Sequence, residues 1–112
     1  MSYFKTLLIG VKQTLIDAVT GTGASSTFAL PTRACILAWQ TSFDTAPSGV
    51  SITIDVSLDG LVWTTIDTST ATGGEVRTIA TPTAALFIRA NVGTNTGNKH
   101  VTVVIVAKVA NP

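Results

Sequence analysis

The sequence predicts an all-β domain, an antiparallel two-sheet sandwich of the jelly-roll type with seven or eight strands. Three observations carry that expectation. Apolar and polar residues alternate strictly from Ser51 to Leu58 (S-I-T-I-D-V-S-L), the pattern of a strand with one dry face and one wet face. Strand-like runs recur roughly every ten residues between Gly, Pro, Asn and Ser clusters, which is the spacing of a sandwich or small barrel. The chain holds 20 threonines, and Thr together with Val and Ile favours strands. No run reads as a convincing helix. An immunoglobulin-like sandwich lacking its usual buried disulfide is the other architecture compatible with the pattern.

Residues 1–12 (M-S-Y-F-K-T-L-L-I-G-V-K) precede the regular pattern. They read as a first edge strand or as an arm that packs on a partner, with Gly10 as the hinge, and Tyr3, Phe4 and Leu7 as partner-facing side chains. Residues 13–110 make the sandwich domain. Gln13 to Thr20 is its first strand, with Leu15, Asp17 and Val19 alternating against Ile16 and Ala18. Gly21 to Ser26 is a loop, and Thr27 to Leu30 a short strand stopped by Pro31. Ala34 to Ser42 is apolar on both faces at its start, as a covered central strand is. After the loop from Phe43 to Gly49 comes a hairpin. Its Asp59-Gly60 pair is the signal for a type I′ turn, and residues 61–66 return.

Asp67 to Gly74 reads as a loop, Glu75 to Ile79 as a short strand broken at Thr81-Pro82-Thr83. Ala85 to Val92 alternates, with Leu86, Ile88, Ala90 and Val92 inward and Phe87, Arg89 and Asn91 outward. Gly93 to Lys99 is a turn, and Val101 to Val109 a long closing strand. The expected core is Leu15, Ile36, Ala38, Ile52, Ile54, Val56, Leu58, Trp63, Ile66, Ile79, Leu86, Ile88, Val92, Val103 and Ile105.

At 112 residues the chain fits one domain. Charged residues make up 12% and apolar residues 46%, against about 25% charged in an average soluble domain. So few charges protect a monomer poorly against association. They describe either a compact domain with a neutral, Thr-rich surface or one largely covered by other chains. A net charge of +1 provides no electrostatic footprint for nucleic acid or an anionic membrane. No apolar run reaches transmembrane length, and the start lacks a secretory signal, so synthesis in the cytoplasm is expected. With Cys35 the only cysteine, no intrachain disulfide forms.

No catalytic constellation is legible. His100 sits beside a Gly/Asn turn as a solvated residue, and Cys35 in an apolar run behaves as a small hydrophobe. Asp17, Asp44, Asp55, Asp59, Asp67 and Glu75 are scattered singly, with neither the spacing of a calcium loop nor a close pair for glycoside hydrolysis. One His and one Cys make no zinc site. The Gly21/Gly23 and Gly73-Gly74 pairs lack the Lys and helix of a phosphate loop. No cofactor is expected. Trp63 is expected to cap the core. Phe87 and Arg89, side by side on an outward face, are the residue types that anchor protein interfaces.

The segment Ser57-Leu58-Asp59-Gly60-Leu61-Val62-Trp63-Thr64 (S-x-D-G-x-x-W-T), then Ala85 to Ala90 (A-L-F-I-R-A) and a final Val-rich strand, resembles the small jelly-roll decoration, or cement, proteins of short-tailed bacteriophage capsids. The resemblance spans roughly Ala34 to Lys108. It implies a non-enzymatic virion protein bound to the capsid exterior, bridging major capsid protein subunits, often as a dimer or trimer. Discoidin-like carbohydrate-binding jelly rolls share S-x-D-G-x-x-W as a scaffold feature. A carbohydrate-binding module of a phage tail or fibre is therefore the alternative.

Overall fold

The computed structural model describes residues 5–110. Ten strands are present among them: β1 (Lys5–Thr6), β2 (Gln13–Val19), β3 (Gly23–Ala24), β4 (Phe28–Ala29), β5 (Cys35–Phe43), β6 (Gly49–Ser57), β7 (Thr64–Ser69), β8 (Glu75–Thr83), β9 (Phe87–Thr96) and β10 (Val101–Val109). One sheet has the order β1-β4-β9-β6-β7, with β3 also on β9; the other has the order β2-β10-β5-β8. Leaving out the two-residue β1 and taking β3 and β4 as one interrupted strand leaves eight principal strands. The first, eighth, third and sixth form one sheet; the second, seventh, fourth and fifth form the other. That is the double Greek-key order of a jelly roll. The strand count exceeds the expected seven or eight because of the two-residue strands.

The core lies between the sheets. Leu37, Trp39, Val101, Val103, Ile105 and Ala107 face Ile52, Ile54, Ile88, Ala90 and Val92, all buried. Trp39 is the largest side chain sealed inside, at 1% exposure. This choice of inward residues on β5 corrects the expected register. Ile36 and Ala38 are half-buried on the outer side, and Cys35, Leu37, Trp39 and Thr41 point in. A strand apolar on both faces leaves its register open, and burying the larger indole decides it.

Leu58 and Leu86 are also not core. They are 69% and 53% exposed, because one follows the end of β6 and the other precedes β9. Trp63 is half-buried outside the sandwich. Of the remaining expected core, Leu15, Ile52, Ile54, Ile79, Ile88, Val92, Val103 and Ile105 are buried, while Val56 and Ile66 pack partly against them.

Other boundaries moved for identifiable reasons. β8 continues through Pro82 to Thr83, with a register shift between Cys35 and Leu37 of its neighbour; it is an edge strand, where the missing proline N–H costs no ladder bond. β9 continues through Gly93 to Thr96, paired with Gly49 and Val50, which confines the turn to residues 97–100. β7 likewise extends to Ser69. In β2 the alternation fails at a bulge: Leu15 and Ile16 are both buried, and Ala18 adopts a φ of 52°. Near the chain start, β1 pairs in parallel with β4. The Leu7 N–H donates to the Ala29 carbonyl (2.9 Å) and the Gly10 N–H to the Ala107 carbonyl (2.7 Å), tying this segment to both sheets.

Candidate functional site

The S-x-D-G motif does not make the tight hairpin its residues suggest. Only Gly60 adopts positive φ (76°), whereas a type I′ turn needs it at two positions. Instead residues 58–63 form a longer loop braced by two side chains. The Ser57 hydroxyl oxygen accepts the N–H groups of Asp59 (3.2 Å) and Gly60 (2.8 Å). Asp59 Oδ1 accepts the N–H groups of Leu61 (2.8 Å) and Val62 (2.9 Å) and the Ser57 hydroxyl (3.0 Å). These donors, first Val62, then Leu61, then Ser57, hold the Asp59 carboxyl below its ordinary range. Ser and Asp are suited to the task because their short side chains mimic backbone acceptors.

Beneath the loop lies an ion pair on the outer face of the sheet. Asp55 and Arg89 are cross-strand partners on β6 and β9, joined by Arg89 Nε to Asp55 Oδ2 at 3.2 Å. Thr65 donates its hydroxyl to Asp55 Oδ1 (2.8 Å). Trp63 then folds down, its ring centre 4.3 Å from the Arg89 guanidinium carbon, a cation–π contact. Asp55 is thereby 4% exposed although it faces away from the core. Phe87 is half-buried under the turn; a Cβ added to Gly60 would lie 3.7 Å from its ring.

With its polar atoms used internally, the loop turns aliphatic side chains to solvent. Leu58, Leu61 and Val62 are 69%, 83% and 72% exposed. Leu86 joins them, held by its N–H bond to the Ser57 carbonyl (3.1 Å). Four large aliphatics on one braced tip form an exposed apolar patch, a mark of an interaction surface.

Two other polar groupings were not legible from spacing. Between β7 and β8, Arg77 pairs with both Asp67 oxygens (3.0 Å each) and with Glu75 Oε1 (3.3 Å). The buried Trp39 indole N–H donates to Asp67 Oδ2 (2.9 Å), and Ser69 donates to Glu75 Oε2 (2.6 Å). Burial alone would raise the Asp67 carboxyl, but Arg77, Trp39 and the Thr68 N–H outweigh it and hold it low. Both carboxylates are committed to Arg77, so the group clamps one edge of the sandwich. At the opposite end from the apolar tip, His100 Nδ1 lies 2.9 Å from Asp44 Oδ2, both exposed. That contact with His100 is the main cause holding Asp44 low.

Of the expected partner-facing residues, Tyr3 and Phe4 lie outside the described residues. Leu7 is 2% exposed and belongs to the core, which corrects its assignment to a contact surface: the segment folds inward because the gap between the sheets offers it apolar burial. Phe87 and Arg89 do stand together on the outer face, as the floor of the loop. The residues that sequence reasoning missed are Leu58, Leu61, Val62 and Leu86, placed in strands or core because they are aliphatic. The available signal was Ser57 two residues before Asp59, which favours a side-chain-braced loop over a two-residue turn. Cys35 is buried, its Sγ 3.2 Å from the Arg33 carbonyl oxygen, with burial pushing the thiol up against the opposing influence of Arg33. Among the described residues no group of three His, Cys, Asp or Glu side chains is placed to hold a metal ion. No protein-family model matches this chain, and no curated protein matches it.

Proposed function

We propose that this chain is a non-enzymatic structural protein of a tailed-phage virion, docking on the outside of the assembled capsid and bridging neighbouring major capsid protein subunits. The observation that carries the reading is the aliphatic tip of Leu58, Leu61, Val62 and Leu86, held on a hydrogen-bonded loop. A pre-organised apolar knob gives up little conformational entropy on docking and gains from desolvation at its centre. The charge-poor, Thr-rich surface around it suits a rim that need not shed strongly hydrated groups. Many copies on a closed lattice add their modest contributions by mass action.

The test is recovery of the chain with purified virions of the phage that encodes it. Stoichiometric recovery is expected, with particles lacking it releasing DNA at a lower temperature. The paired change Leu61→Asp and Val62→Asp abolishes recovery while leaving the fold intact by circular dichroism. Virions free of the protein, or full binding by that variant, overturn the reading.

One surface open to a carbohydrate is a groove of about 570 Å3 along β7 and β8 whose lining includes Ile66, Asp67, Thr78 and Pro82. Neither tryptophan is available to stack on a sugar there. Trp39 is sealed in the core, and one face of Trp63 is taken by Arg89. Binding to a glycan array by the isolated chain would favour this second reading.

A further inference from the structure

The outer face of the β2-β10-β5-β8 sheet is aliphatic where a solvated sheet is polar. Ile36 and Ala38 on β5, Val104 and Val106 on β10 and Val76 on β8 all lie on it, Val76 being 65% exposed. From Ile36 to Ser42 and from Thr102 to Val106 the face carries no charged side chain. Four strands about 4.8 Å apart, three of them nine residues long and β2 seven, at about 3.3 Å per residue present roughly 540 Å2 before side-chain relief. A standard interface uses about 800 Å2 per partner. A sheet face of this size, uncharged along its centre and with Lys108 only at one end of β10, fits a second copy of itself.

The register supplies an axis. Val104 is opposite both Thr14 and Gln40, and Gln40 is opposite Val76, so Thr14, Val104, Gln40 and Val76 form one row across all four strands. Exposed Asp17 lies in the β2 bulge beside Thr102, two residues to one side of the row. Lys12 immediately precedes Gln13, which pairs with Ile105, and it stands near Val104 and Val106. It therefore lies about as far, roughly 7 Å, to the other side of the row, along the same sheet edge. A two-fold rotation about the row carries the Asp17 of one copy onto the Lys12 of the other, twice.

We propose that two copies pack sheet to sheet across a two-fold axis running along the Thr14–Val104–Gln40–Val76 row. Val104 meets its own counterpart, as do the Gln40 amides, which can donate and accept between themselves. Asp17–Lys12 pairs lie at the rim and fix the orientation. The interface leaves the tip of residues 58–63 free, and it stands independently of the capsid reading, since it is measured on the isolated chain.

Sedimentation velocity at micromolar concentration is expected to show a dimer. Val104→Glu and, separately, Gln40→Glu place like charges on the axis and should each raise the dimer dissociation constant at least about a hundredfold, with unchanged circular dichroism. Asp17→Lys should weaken the dimer about tenfold, and adding Lys12→Asp should restore it. Under mild oxidation Val104→Cys should cross-link to its own copy, whereas Thr53→Cys on the other sheet should not; native Cys35 is buried and does not compete. A wild-type chain monomeric at about 100 μM, a concentration at which specific dimers are well populated, overturns the proposal. So does a dimer that survives both glutamate variants, or a charge swap without rescue.

Discussion

On the outer face of the β6–β9 sheet, Asp55 and Arg89 pair across strands and Trp63 closes over the guanidinium. On the outer face of the β5–β10 sheet the equivalent positions are Ile36, Ala38, Val104 and Val106, with no charge and no aromatic among them. The first face satisfies itself with a loop from its own chain; the second has spare apolar surface. The difference teaches that two sheets of one sandwich can share a core and still be built for different neighbours. A β-domain gains nothing for its own core from outward valines, whereas an association surface does.

The comparison breaks most severely at Asp55. Asp55→Ala leaves the half-buried Arg89 cation without its counter-charge, and urea unfolding should show a loss of about 3 kcal/mol. Trp63→Ala uncovers the same pair and forfeits the cation–π contact, for a smaller loss of about 1–2 kcal/mol by the same measurement.

Acid sharpens the contrast next. The carboxyls of Asp59 and Asp67, both on the loop-bearing half, are held below their ordinary range, so their folded values lie below the unfolded value of about 3.9. Their stabilisation is present above about pH 4 and is lost as pH falls through the folded values. Asp59→Asn should therefore flatten the acid limb of the stability curve, measured by denaturant titration between about pH 5 and 2. The smallest effect is expected on the other face. Val106→Ser, measured in the Val104→Glu background, should change monomer stability by no more than about 0.5 kcal/mol.

These two faces also explain what was legible in the sequence. Along β6 the outward set Ser51, Thr53, Asp55 and Ser57 is polar, so period-two reading placed Ile52 and Ile54 inside, where they are fully buried. The same logic put Ile88, Ala90 and Val92 in and Phe87 and Arg89 out. Along β5 both sets are apolar, and the register was read the wrong way because Ile36 and Ala38 look as buriable as Leu37 and Trp39. The expected surface residues Phe87 and Arg89 were on the correct face, but what covers them was invisible. That cover depends on Ser57 and Asp59 holding six loop residues in place of a two-residue turn, a choice made by side-chain hydrogen bonds that no hydropathy pattern encodes. The Asp67–Arg77–Trp39 clamp was hidden for a related reason: its members come from three strands whose adjacency is a property of the topology.

Strand β10 lies between β2 and β5 in its sheet. Until residues 101–109 have emerged from the ribosome, those two strands have nothing to join them, and the hydrophobic row from Leu37 to Trp39 stays open along one edge. Folding of the whole sheet must therefore wait until β10 is available to pair, with the slow kinetics of long-range pairing. During that interval the unpaired edges of β2 and β5 are where aggregation competes with native assembly.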